Sequence, residues 1–566
     1  MKLIKLIVEN FRGINSETEI RFDNSNIIFL IGQNNIGKST FLHAYEYFVN
    51  SAQKVTKEDF YDFNEENKIV ITGVFQKELV DESDTDLIGT GQTREPNWID
   101  KWVDVSNDNI IKIKKEWLRI GESFNKFTWG IEENNWVSNG FGGLHSKLTK
   151  YSPTPIFIHA METEETLEKK VNKLIQDDFL KKMNENGEFA TEYNNAIEKV
   201  KSLQEKIVGT EAIRAYNEQI NESFGKIFAE LILKIEPKGD DTIKIEDAIK
   251  NSHSIIVQKY GVDREEAISS HGHGVIRQAL FNFLTFLKRN NRGNRKEYLI
   301  LFEEPELFLH PKISYKLREN LYSLAEESPY QILCATHSPL MIDISKDHSS
   351  LVRVSKNNNN VQTHQVDSTM FNGGDSQERR NRVIMINRFN PHICEAFYAD
   401  KVLLVEGDTE TIVYRDLLKK FYPNEEVFVV NTGSKNNIPF FQEVLIHFEI
   451  EHYVIHDVDA RISTRRDGSE ITNSAWTLNQ KIWNNIELAN ARRRGLARRY
   501  VHNQNFEDAH IRLDPSLNFS GKDKPYKAYE FAQTINLESD ADCMAWLRDI
   551  VVDKVIWHDQ SYIENL

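Results

Sequence analysis

The chain has 566 residues, of which 40% are apolar and 28% are charged, a composition typical of a soluble globular protein with more than one domain. Its net charge of −16 argues against a surface that is basic throughout, but it does not exclude a local basic groove. No apolar run approaches the roughly 20 residues of a membrane span and no signal-peptide pattern opens the chain, so we expect a cytoplasmic protein without a membrane partner.

After a predicted hairpin within the first 22 residues, a strand, a loop and a helix follow one another. Residues 27–31 are apolar, residues 32–39 read GQNNIGKS, and apolar residues then recur at helical spacing. This is GxxxxGK[ST] in its required setting, and it predicts a loop whose backbone N–H groups face a polyphosphate. Lys38 is expected to neutralise the β- and γ-phosphates, and Ser39 to bind Mg²⁺. The predicted nucleotide-binding residues here are Gly32, Asn35, Gly37, Lys38, Ser39 and Thr40.

Further strand-like runs at residues 69–75, 110–117 and 127–131 predict a β-rich lobe after this helix, and residues 153–160 are predicted to form another strand. From residue 164 to about residue 235, strand signals vanish and apolar residues fall at three- or four-residue spacing. That spacing predicts long inserted helices and leaves open whether they form a packed subdomain or a dimerisation arm. The Asn-rich segment 357–377 is predicted to be a linker or a mobile loop.

A second buried strand, predicted at residues 297–302, ends in the acids Glu303 and Glu304, which is the form of a Walker B motif. In a parallel sheet such acids lie beside the phosphate loop. Glu303 is expected to hold the Mg²⁺ shell, and Glu304 to polarise the attacking water. Glutamate in place of the more usual aspartate at 303 predicts slow turnover, which favours a switch over a motor.

The motifs around this strand resemble those of one ATPase group. Residues 303–311 read EEPELFLHP and residues 335–339 read ATHSP. They resemble the Walker B motif, D-loop and switch histidine of ABC-type ATPases of chromosome maintenance and recombination. The resemblance implies that His337 contacts the γ-phosphate and that the loop with Ser270 and Gly272 replaces the signature loop. That loop reads SSHGHG rather than LSGGQ, and in such ATPases it closes over ATP held by another protomer, which couples ATP binding to dimerisation.

After residue 400, predicted strands and helices alternate, which favours a parallel sheet in a second α/β domain. One predicted strand is followed by Glu406 and Glu410, and another by Asp457 and Asp459. Because the carboxyl ends of parallel strands meet at one edge, these carboxylates would repel each other unless divalent cations bind there. Such a cluster suits two-metal phosphodiester hydrolysis.

The acidic pattern resembles the Toprim domain of topoisomerases, bacterial primases and some nucleases. An ABC-type ATPase half followed by a Toprim half resembles the OLD (overcoming lysogenization defect) nucleases, which include the nuclease subunit of Gabija systems and retron-associated effectors. The resemblance implies a set of metal ligands and a transition-state lysine: Glu406, Glu410, Asp457, Asp459 and the later acid Glu507 as ligands, and Lys524 as the lysine. Lys522 and Lys527 are close competitors for that last role.

Basic residues flank the predicted acidic site, and they include Arg461, Arg465, Arg466, Arg492, Arg493, Arg494, Arg498 and Arg499. Arginine holds phosphates with two parallel hydrogen bonds, so these residues predict a groove for a DNA backbone. A solvated helix face that balances an acidic protein is the alternative.

The expected fold class is therefore α/β, with four parts: residues 1–163 and 251–395 as an ABC-type ATPase domain, residues 164–250 as an inserted helical arm, and residues 396–566 as a Toprim domain. The expected function is that of an ATP-regulated, metal-dependent DNA endonuclease, an antiphage effector by resemblance. It would act as a dimer or a higher homo-oligomer, with ATP and Mg²⁺ as cofactors and Mn²⁺ or Ca²⁺ as alternatives at the nuclease site.

Two other functions remain open at this stage. With an idle Toprim half, the chain would be an ATP-dependent DNA-binding or scaffold protein. A topoisomerase-like enzyme would need a DNA-linking tyrosine, and no tyrosine stands out. The sequence also leaves open whether ATP binding restrains the nuclease or hydrolysis drives DNA handling. It does not decide whether a helicase, or a reverse transcriptase with a non-coding RNA, acts as a partner.

Overall fold

The structure is a computed structural model that describes most of the chain. The residues outside the description are 23–24, 78–101, 140–150, 162, 164–165, 167, 173–210, 227–229, 237–253, 260, 262–264, 291–296, 327–329, 358–359, 367–376, 378–380, 382–383, 385–390, 466–467, 511–522, 540 and 553–557. The chain forms two compact units: Met1–Leu30, Gly37–Met341 and Asn359–Val361 make the first, and Ile31–Ile36, Ile342–Asn358 and Gln362–Leu566 make the second. Among the described residues, no helix is both long and apolar enough to cross a bilayer.

The first unit holds thirteen strands and four α-helices among its described residues. The strands are β1 (Lys2–Glu9), β2 (Thr18–Arg21), β3 (Ile27–Ile31), β4 (Ile69–Gln76), β5 (Ile110–Trp117), β6 (Asn125–Gly130), β7 (Asn135–Ser138), β8 (Thr154–Ile158), β9 (Leu231–Glu236), β10 (Ser254–Lys259), β11 (Glu265–Ala267), β12 (Tyr298–Glu303) and β13 (Tyr330–Ala335). The helices are α1 (Lys38–Val49), α2 (Glu211–Gly225), α3 (His273–Asn290) and α4 (Pro311–Ala325).

A parallel sheet positions the site in this unit. Its strands run in the order β3-β13-β12-β8, and each neighbouring pair is parallel. Every residue of β3 and β13 is buried, as expected for strands whose two faces are both covered. The carboxyl ends of the four strands meet at one edge. An antiparallel sheet in the order β2-β1-β4-β5-β6-β7 forms the β-rich lobe that the sequence predicts.

Two predictions about local structure are wrong in part. The predicted helical texture extends to residue 235, but Leu231–Glu236 forms β9 and pairs with the antiparallel strand β10. The apolar residues of this segment fit the period of a strand as well as that of a helix. Hydrogen bonding to β10 favours the strand. The predicted linker begins with strand β15 (Asn360–Gln365), which is a neighbour of strand β14 (Leu351–Asn357) in one sheet. Most of the predicted helical arm lies outside the described residues.

The second unit contains strand β14, strand β15 from Gln362 onwards, a small hairpin and a four-stranded sheet. The remaining strands are β16 (Lys401–Val405), β17 (Val427–Asn431), β18 (His452–Asp457), β19 (Ile462–Thr464), β20 (Glu470–Thr472) and β21 (Ala497–His502). The helices are α5 (Asp408–Phe421), α6 (Ile438–His447), α7 (Ser474–Arg492), α8 (Phe506–His510), α9 (Lys524–Thr534), α10 (Asp542–Val552) and α11 (Gln560–Glu564).

The sheet of the second unit runs in the order β17-β16-β18-β21, and all three pairings are parallel. Helix α5 packs its apolar face on this sheet, with Val413, Tyr414 and Leu417 buried against Leu403 and Val405. The predicted alternation of strands and helices in a second α/β domain is confirmed. The carboxyl ends of β16, β17 and β18 meet at one edge, and the predicted acids follow two of these strands.

Candidate nucleotide and metal sites

The predicted phosphate loop has the backbone that its glycines make possible. Gly32 has a φ of 133° and Gly37 a φ of 97°, and Asn35 is also left-handed, with a φ of 58°. A Cβ at Gly32 would collide with the carbonyl oxygen of Val354 and lie 2.6 Å from the side chain of Ile36. Only glycine fits this position. The loop then enters α1, where the Thr40 N–H donates to the Gly37 carbonyl at 3.1 Å.

Three predicted residues of the ATPase site meet at the edge of the parallel sheet. The Lys38 Nζ lies 3.2 Å from Nδ1 of His337, and Nε2 of His337 lies 3.5 Å from Oε1 of Glu304. Burial lowers the pKa of Lys38 to about 8, although Glu304 and Glu306 act in the opposite direction. Burial and the Lys38 charge lower the pKa of His337 to about 4, so its imidazole is neutral near pH 7.

Glu303 lies among hydrogen-bond donors at the end of β12. Its Oε2 is 3.5 Å from Nδ1 of His159 and 3.4 Å from the Ala160 nitrogen, and its Oε1 is 3.9 Å from Nε2 of His43. Burial acts to raise the pKa of Glu303, but hydrogen bonds with His159 and Ser39, together with His43, lower it to about 2. This carboxylate is therefore ionised, and groups of the protein itself compensate its charge.

Several residues that support this edge were missed from the sequence. Arg277 on α3 is fully buried, and its guanidinium donates to the carbonyl oxygens of Glu304 at 3.0 Å, His159 at 2.8 Å and Ala160. The signal in the sequence is an arginine at the start of the mostly apolar segment 275–287 of α3. The Glu306 carboxylate accepts from the Thr336 hydroxyl at 2.7 Å and the His337 N–H at 2.9 Å, and burial raises its pKa.

The loop predicted to replace the signature loop begins α3. Ser270 is exposed, and a Cβ at Gly272 would meet no atom within 4 Å. A Cβ at Gly274 would lie 2.8 Å from the side chain of Leu309 and 3.3 Å from the carbonyl oxygen of Phe308. Ser270 and Gly272 therefore face open space, while Gly274 packs against the segment that follows the Walker B strand. The proposed contact of this loop with another protomer stays a prediction.

The acids predicted in the second unit do come together. Oε1 of Glu406, which follows β16, accepts from the backbone N–H of Asp457 at 2.8 Å. Oδ1 of Asp457 is buried and has no hydrogen-bond partner among the described residues. Burial, followed by repulsion from Glu406, Glu410, Asp459 and Glu507, raises the pKa of Asp457 to about 9. Burial also raises the pKa of Glu406 to about 7. This carboxylate cluster is short of positive charge.

Lys435 is the main cation of this cluster that the sequence analysis missed. It is only 4% exposed, and its Nζ donates to Oδ2 of Asp459 at 2.7 Å, to the Val458 carbonyl at 3.3 Å and to the Asp457 carbonyl. Asp459 itself is left-handed, with a φ of 63°. Lys435 follows β17, a strand whose carboxyl end the sequence pattern did not mark. It fixes the loop that carries both aspartates.

The remaining predicted ligands lie on the helices that flank this edge. Glu410 is buried in the first turn of α5, and burial raises its pKa while the charge of Lys524 lowers it. Nζ of Lys524, at the start of α9, lies 3.5 Å from Oε1 of Glu507 in α8. Lys527 is exposed on α9, and Lys522 lies outside the described residues.

One part of the predicted basic groove is wrong. Arg499 on β21 is 1% exposed, and its guanidinium donates to the carbonyl oxygens of His558 at 2.9 Å and Asn479 at 2.8 Å. It is a structural residue that cannot reach a DNA backbone. Arg461 and Arg465 are exposed after the Asp457–Asp459 turn, and the Arg461 guanidinium lies 4.9 Å from the centre of the Trp476 ring.

The other predicted arginines differ in their surroundings. Arg492 donates to the Ile446 carbonyl at 3.2 Å, and Arg493 donates to the Glu449 carbonyl at 3.4 Å. Arg494 is exposed, Arg498 is half-buried on β21, and Arg466 lies outside the described residues. Exposure therefore favours Arg461 and Arg465 among the candidates near the acids.

A phosphate loop with Walker B acids on one parallel sheet, and strand-end carboxylates on another, define a P-loop ATPase joined to a Toprim domain. The chain belongs to the family described as AAA ATPase domain, whose model matches residues 1–342. A second model, described as the TOPRIM domain of overcoming lysogenization defect protein-like proteins, matches residues 397–459. The two domains imply the use of a nucleotide and of a divalent metal.

Curated relatives agree with this assignment over most of the chain. The Old nuclease of Escherichia phage P2 is 23% identical over 494 residues, which are 81% of this chain and 77% of that protein. Endonuclease GajA of Bacillus cereus (strain VD045) is 24% identical, over 77% of this chain and 71% of that protein. The OLD nuclease of Thermus scotoductus is 26% identical over 43% of this chain and 46% of that protein. The predicted OLD-type organisation is confirmed.

Proposed function

We propose that this chain is an ATP-regulated, divalent-metal-dependent DNA endonuclease of antiphage defence in the cytoplasm. The observation that carries the proposal is the buried, unpartnered Oδ1 of Asp457 within a cluster of carboxylates, where burial and then the neighbouring acids raise its pKa to about 9. A cluster of this kind is unfavourable in the folded protein unless cations bind to it. The names of the relatives, two of which are called OLD nucleases and one an endonuclease, support phosphodiester hydrolysis as the reaction.

The acids suit divalent cations because hard oxygen ligands are those that Mg²⁺, Mn²⁺ and Ca²⁺ prefer. The proposed ligands are Glu406, Glu410, Asp457, Asp459 and Glu507. When bound, two such ions supply an activated water and stabilise the leaving oxygen of the cleaved phosphodiester. Glu406 and Asp457 must lose their protons to serve as ligands, so cation binding and proton release are coupled.

The neighbouring cations have separate proposed roles. Lys435 fixes the turn that carries Asp457 and Asp459 through its hydrogen bonds to Asp459 and to backbone carbonyls. Lys524, 3.5 Å from Glu507, is the proposed lysine that stabilises charge on the phosphate during cleavage. Arg461 and Arg465 are exposed beside the acidic turn and are proposed to hold the DNA backbone on either side of the cleaved bond.

The ATPase half is proposed to regulate the nuclease half. The proposed contacts of ATP are with the phosphate loop, including Asn35, Lys38, Ser39 and Thr40, and with the Walker B acid Glu303. The neutral His337 beside Lys38 is proposed to contact the γ-phosphate, and Glu304 to orient the attacking water. Ser270 and Gly272 of a second protomer are proposed to complete the site, so that the enzyme is a homo-oligomer.

Two hydrogen bonds from one side chain of the phosphate loop support the proposal that ATP regulates the nuclease. The Gln33 side-chain amide at the tip of the phosphate loop donates to Asp400 at 2.8 Å and to Glu426 at 2.7 Å. Asp400 directly precedes β16, the strand that leads into Glu406, and all of these residues belong to the second compact unit. We therefore propose that a change of the loop on ATP binding is transmitted through Asp400 to the strand that leads into Glu406.

The test is cleavage of a supercoiled plasmid with Mg²⁺, Mn²⁺ or Ca²⁺, each with and without ATP. We expect nicking or linearisation only with a divalent cation, at a rate that ATP changes. The Asp457→Asn and Asp459→Asn variants should lose cleavage and keep ATP binding. Absence of metal-dependent cleavage, with ATP and DNA binding intact, would contradict the proposal and favour a DNA-binding or scaffold ATPase with an inactive Toprim domain.

A further inference from the structure

Two histidines and a glutamate meet beside the phosphate loop. His43 lies on α1, His159 follows β8, and Glu303 ends β12. One ring nitrogen of each histidine and a carboxylate oxygen of Glu303 all lie within 4.8 Å of one another. We propose that His43, His159 and Glu303 form a binding site for a late first-row divalent transition ion, such as Zn²⁺. This site is separate from the Toprim acids, and it shares Glu303 with the proposed Mg²⁺ site of the nucleotide.

The ligand atoms are close to the spacing that such an ion needs. Nδ1 of His159 lies 3.5 Å from Oε2 of Glu303, and Nε2 of His43 lies 3.9 Å from Oε1. Ligands bound to zinc at about 2.0–2.2 Å are roughly 3.0–3.6 Å apart. The two histidine–carboxylate distances are within a few tenths of an ångström of this range, and the whole trio, whose atoms lie within 4.8 Å of one another, has to close by up to about 1 Å. The three ligands come from three different elements of one unit, which is a geometry that spacing along the chain does not predict.

Neighbouring side chains hold the two histidine rings beside Glu303. Nδ1 of His43 is 3.5 Å from Oε2 of Glu46, which lies one turn later on α1. A carboxylate on the second ring nitrogen is the usual partner of a metal-bound histidine, because it fixes the ring and strengthens the ligand nitrogen. The Phe157 ring stacks on both histidine rings, with centroid distances of 5.0 Å to His43 and 3.8 Å to His159. These contacts direct Nε2 of His43 towards Glu303.

The donor set selects the kind of ion. Two imidazoles and one carboxylate suit zinc, cobalt and nickel, whereas Mg²⁺ and Ca²⁺ prefer oxygen ligands alone. Three protein ligands leave at least one coordination position for water or another small ligand. The same Glu303 carboxylate is assigned above to the nucleotide-bound Mg²⁺. The two ions would therefore compete for Glu303, a consequence that rests on the proposed function.

The test uses the full chain without nucleotide, with Glu406→Gln and Asp457→Asn introduced so that the Toprim acids do not dominate metal binding. Titration with Co²⁺, followed by visible absorption and equilibrium dialysis, should show one tightly bound ion. X-ray absorption at the zinc edge of the Zn²⁺ form should show two imidazole ligands. His43→Ala and His159→Ala should each weaken binding by about 100-fold, and Glu46→Gln by about 10-fold.

Two controls separate this site from other functions of the chain. His310 caps the N-terminus of helix α4 and is not one of the proposed ligands. Asparagine can also cap a helix, so His310→Asn should leave the Co²⁺ affinity unchanged. Lys38→Ala should lose ATP binding and keep the Co²⁺ ion, which separates this site from the proposed ATPase. Unchanged affinity in the folded His43→Ala and His159→Ala variants would overturn the proposal. Zinc bound by oxygen ligands alone would also overturn it, and that measurement needs no histidine variant to fold.

Discussion

The two units each place acids at the carboxyl ends of parallel strands, but the pKa values of the acids Glu303 and Asp457 are shifted in opposite directions. In the first unit, hydrogen bonds from His159 and Ser39 lower the pKa of Glu303 to about 2 in spite of its burial. In the second unit, burial and neighbouring carboxylates raise the pKa of Asp457 to about 9. The same strand-end position therefore carries a charge-compensated acid in one unit and an uncompensated acid in the other.

The comparison teaches that position in a sheet does not decide what an acid can do. A carboxylate that the protein itself compensates is stable as an anion without a bound ion, whereas a buried carboxylate among other carboxylates is stabilised by cations from solution. Among the described cations, Lys435 is the one that binds Asp459 directly, and it leaves Oδ1 of Asp457 without a partner. Metal dependence is therefore expected to be strongest in the second unit.

The largest expected effect is on cleavage. Asp457→Asn keeps the size of the side chain and removes a proposed metal ligand, so plasmid cleavage should fall by about 10³-fold or more, while ATP binding is unchanged. Asp416→Asn on α5, whose carboxylate accepts from Gln533, is the matched control and should cleave normally. Cleavage that survives in Asp457→Asn would show that the uncompensated acids are not catalytic.

The second-largest expected effect is on ATP binding in the first unit. Lys38→Ala removes the cation of the phosphate loop, and ATP affinity, measured by calorimetry, should fall by about 100-fold or more. Metal-dependent cleavage without ATP should persist, because Lys38 is not among the proposed Toprim ligands. Lys54→Ala changes an exposed lysine in the same unit and serves as the control. ATP binding that is equal in the two variants would contradict the proposed nucleotide site.

The pH dependence of stability should differ in sign between the two acids. The pKa of Asp457 rises from 3.8 to about 9 on folding, so its contribution is fully present below pH 3.8 and is lost as the pH rises through 9. The pKa of Glu303 falls from 4.5 to about 2, so its contribution is present above pH 4.5 and is lost as the pH falls through 2.

Thermal unfolding of the metal-free chain between pH 5 and 9 tests the Asp457 part of this difference. The melting temperature of the parent chain should fall by several degrees relative to that of Asp457→Asn as the pH rises. The reason is that Asp457 ionises readily in the unfolded parent chain but stays protonated in the folded one, and asparagine does not ionise in either. Mg²⁺ or Mn²⁺ should reverse the loss in the parent chain. Parallel curves for the two proteins would show that Asp457 is not the titrating group.

The smallest effect is expected for the exposed arginines. Arg461→Gln and Arg465→Gln should each weaken DNA binding a few-fold on every sequence and reduce the slope of log affinity against log salt by about 1. Fluorescence anisotropy at several salt concentrations measures both quantities. Lys419→Gln on α5 is the control for the loss of one exposed charge. An unchanged salt slope in the arginine variants would favour the solvated-face interpretation.

Local motifs predicted much of the fold and placed several proposed site residues together. The phosphate loop and the pair Glu303–Glu304 follow strands directly, so spacing along the chain is enough to find them. Lys435 was missed because it follows β17, and the order β17-β16-β18, which brings it to the acids, is a property of the folded sheet. His159 was missed for the same kind of reason, because β8 pairs with β12 across a long stretch of sequence.

Arg499 shows the opposite error, in which a residue was assigned to a surface that it does not reach. It alternates with Arg498 along β21, and its side chain points to the interior, where two carbonyl oxygens accept its hydrogen bonds. Composition identifies a cluster of arginines but not which face of a strand each one occupies, since that depends on the neighbouring strand and helix.

Glu304 and Asp459 share a left-handed backbone, with φ values of 43° and 63°. Most residues adopt this conformation only at an energy cost of about 1–2 kcal/mol, whereas aspartate, asparagine and glycine tolerate it better. Few amino acids are therefore expected to be tolerated at these two positions, because both the backbone conformation and the chemistry of the site restrict the choice. In a library of variants selected for folding alone, asparagine and glycine should be enriched at these two positions over alanine and β-branched residues.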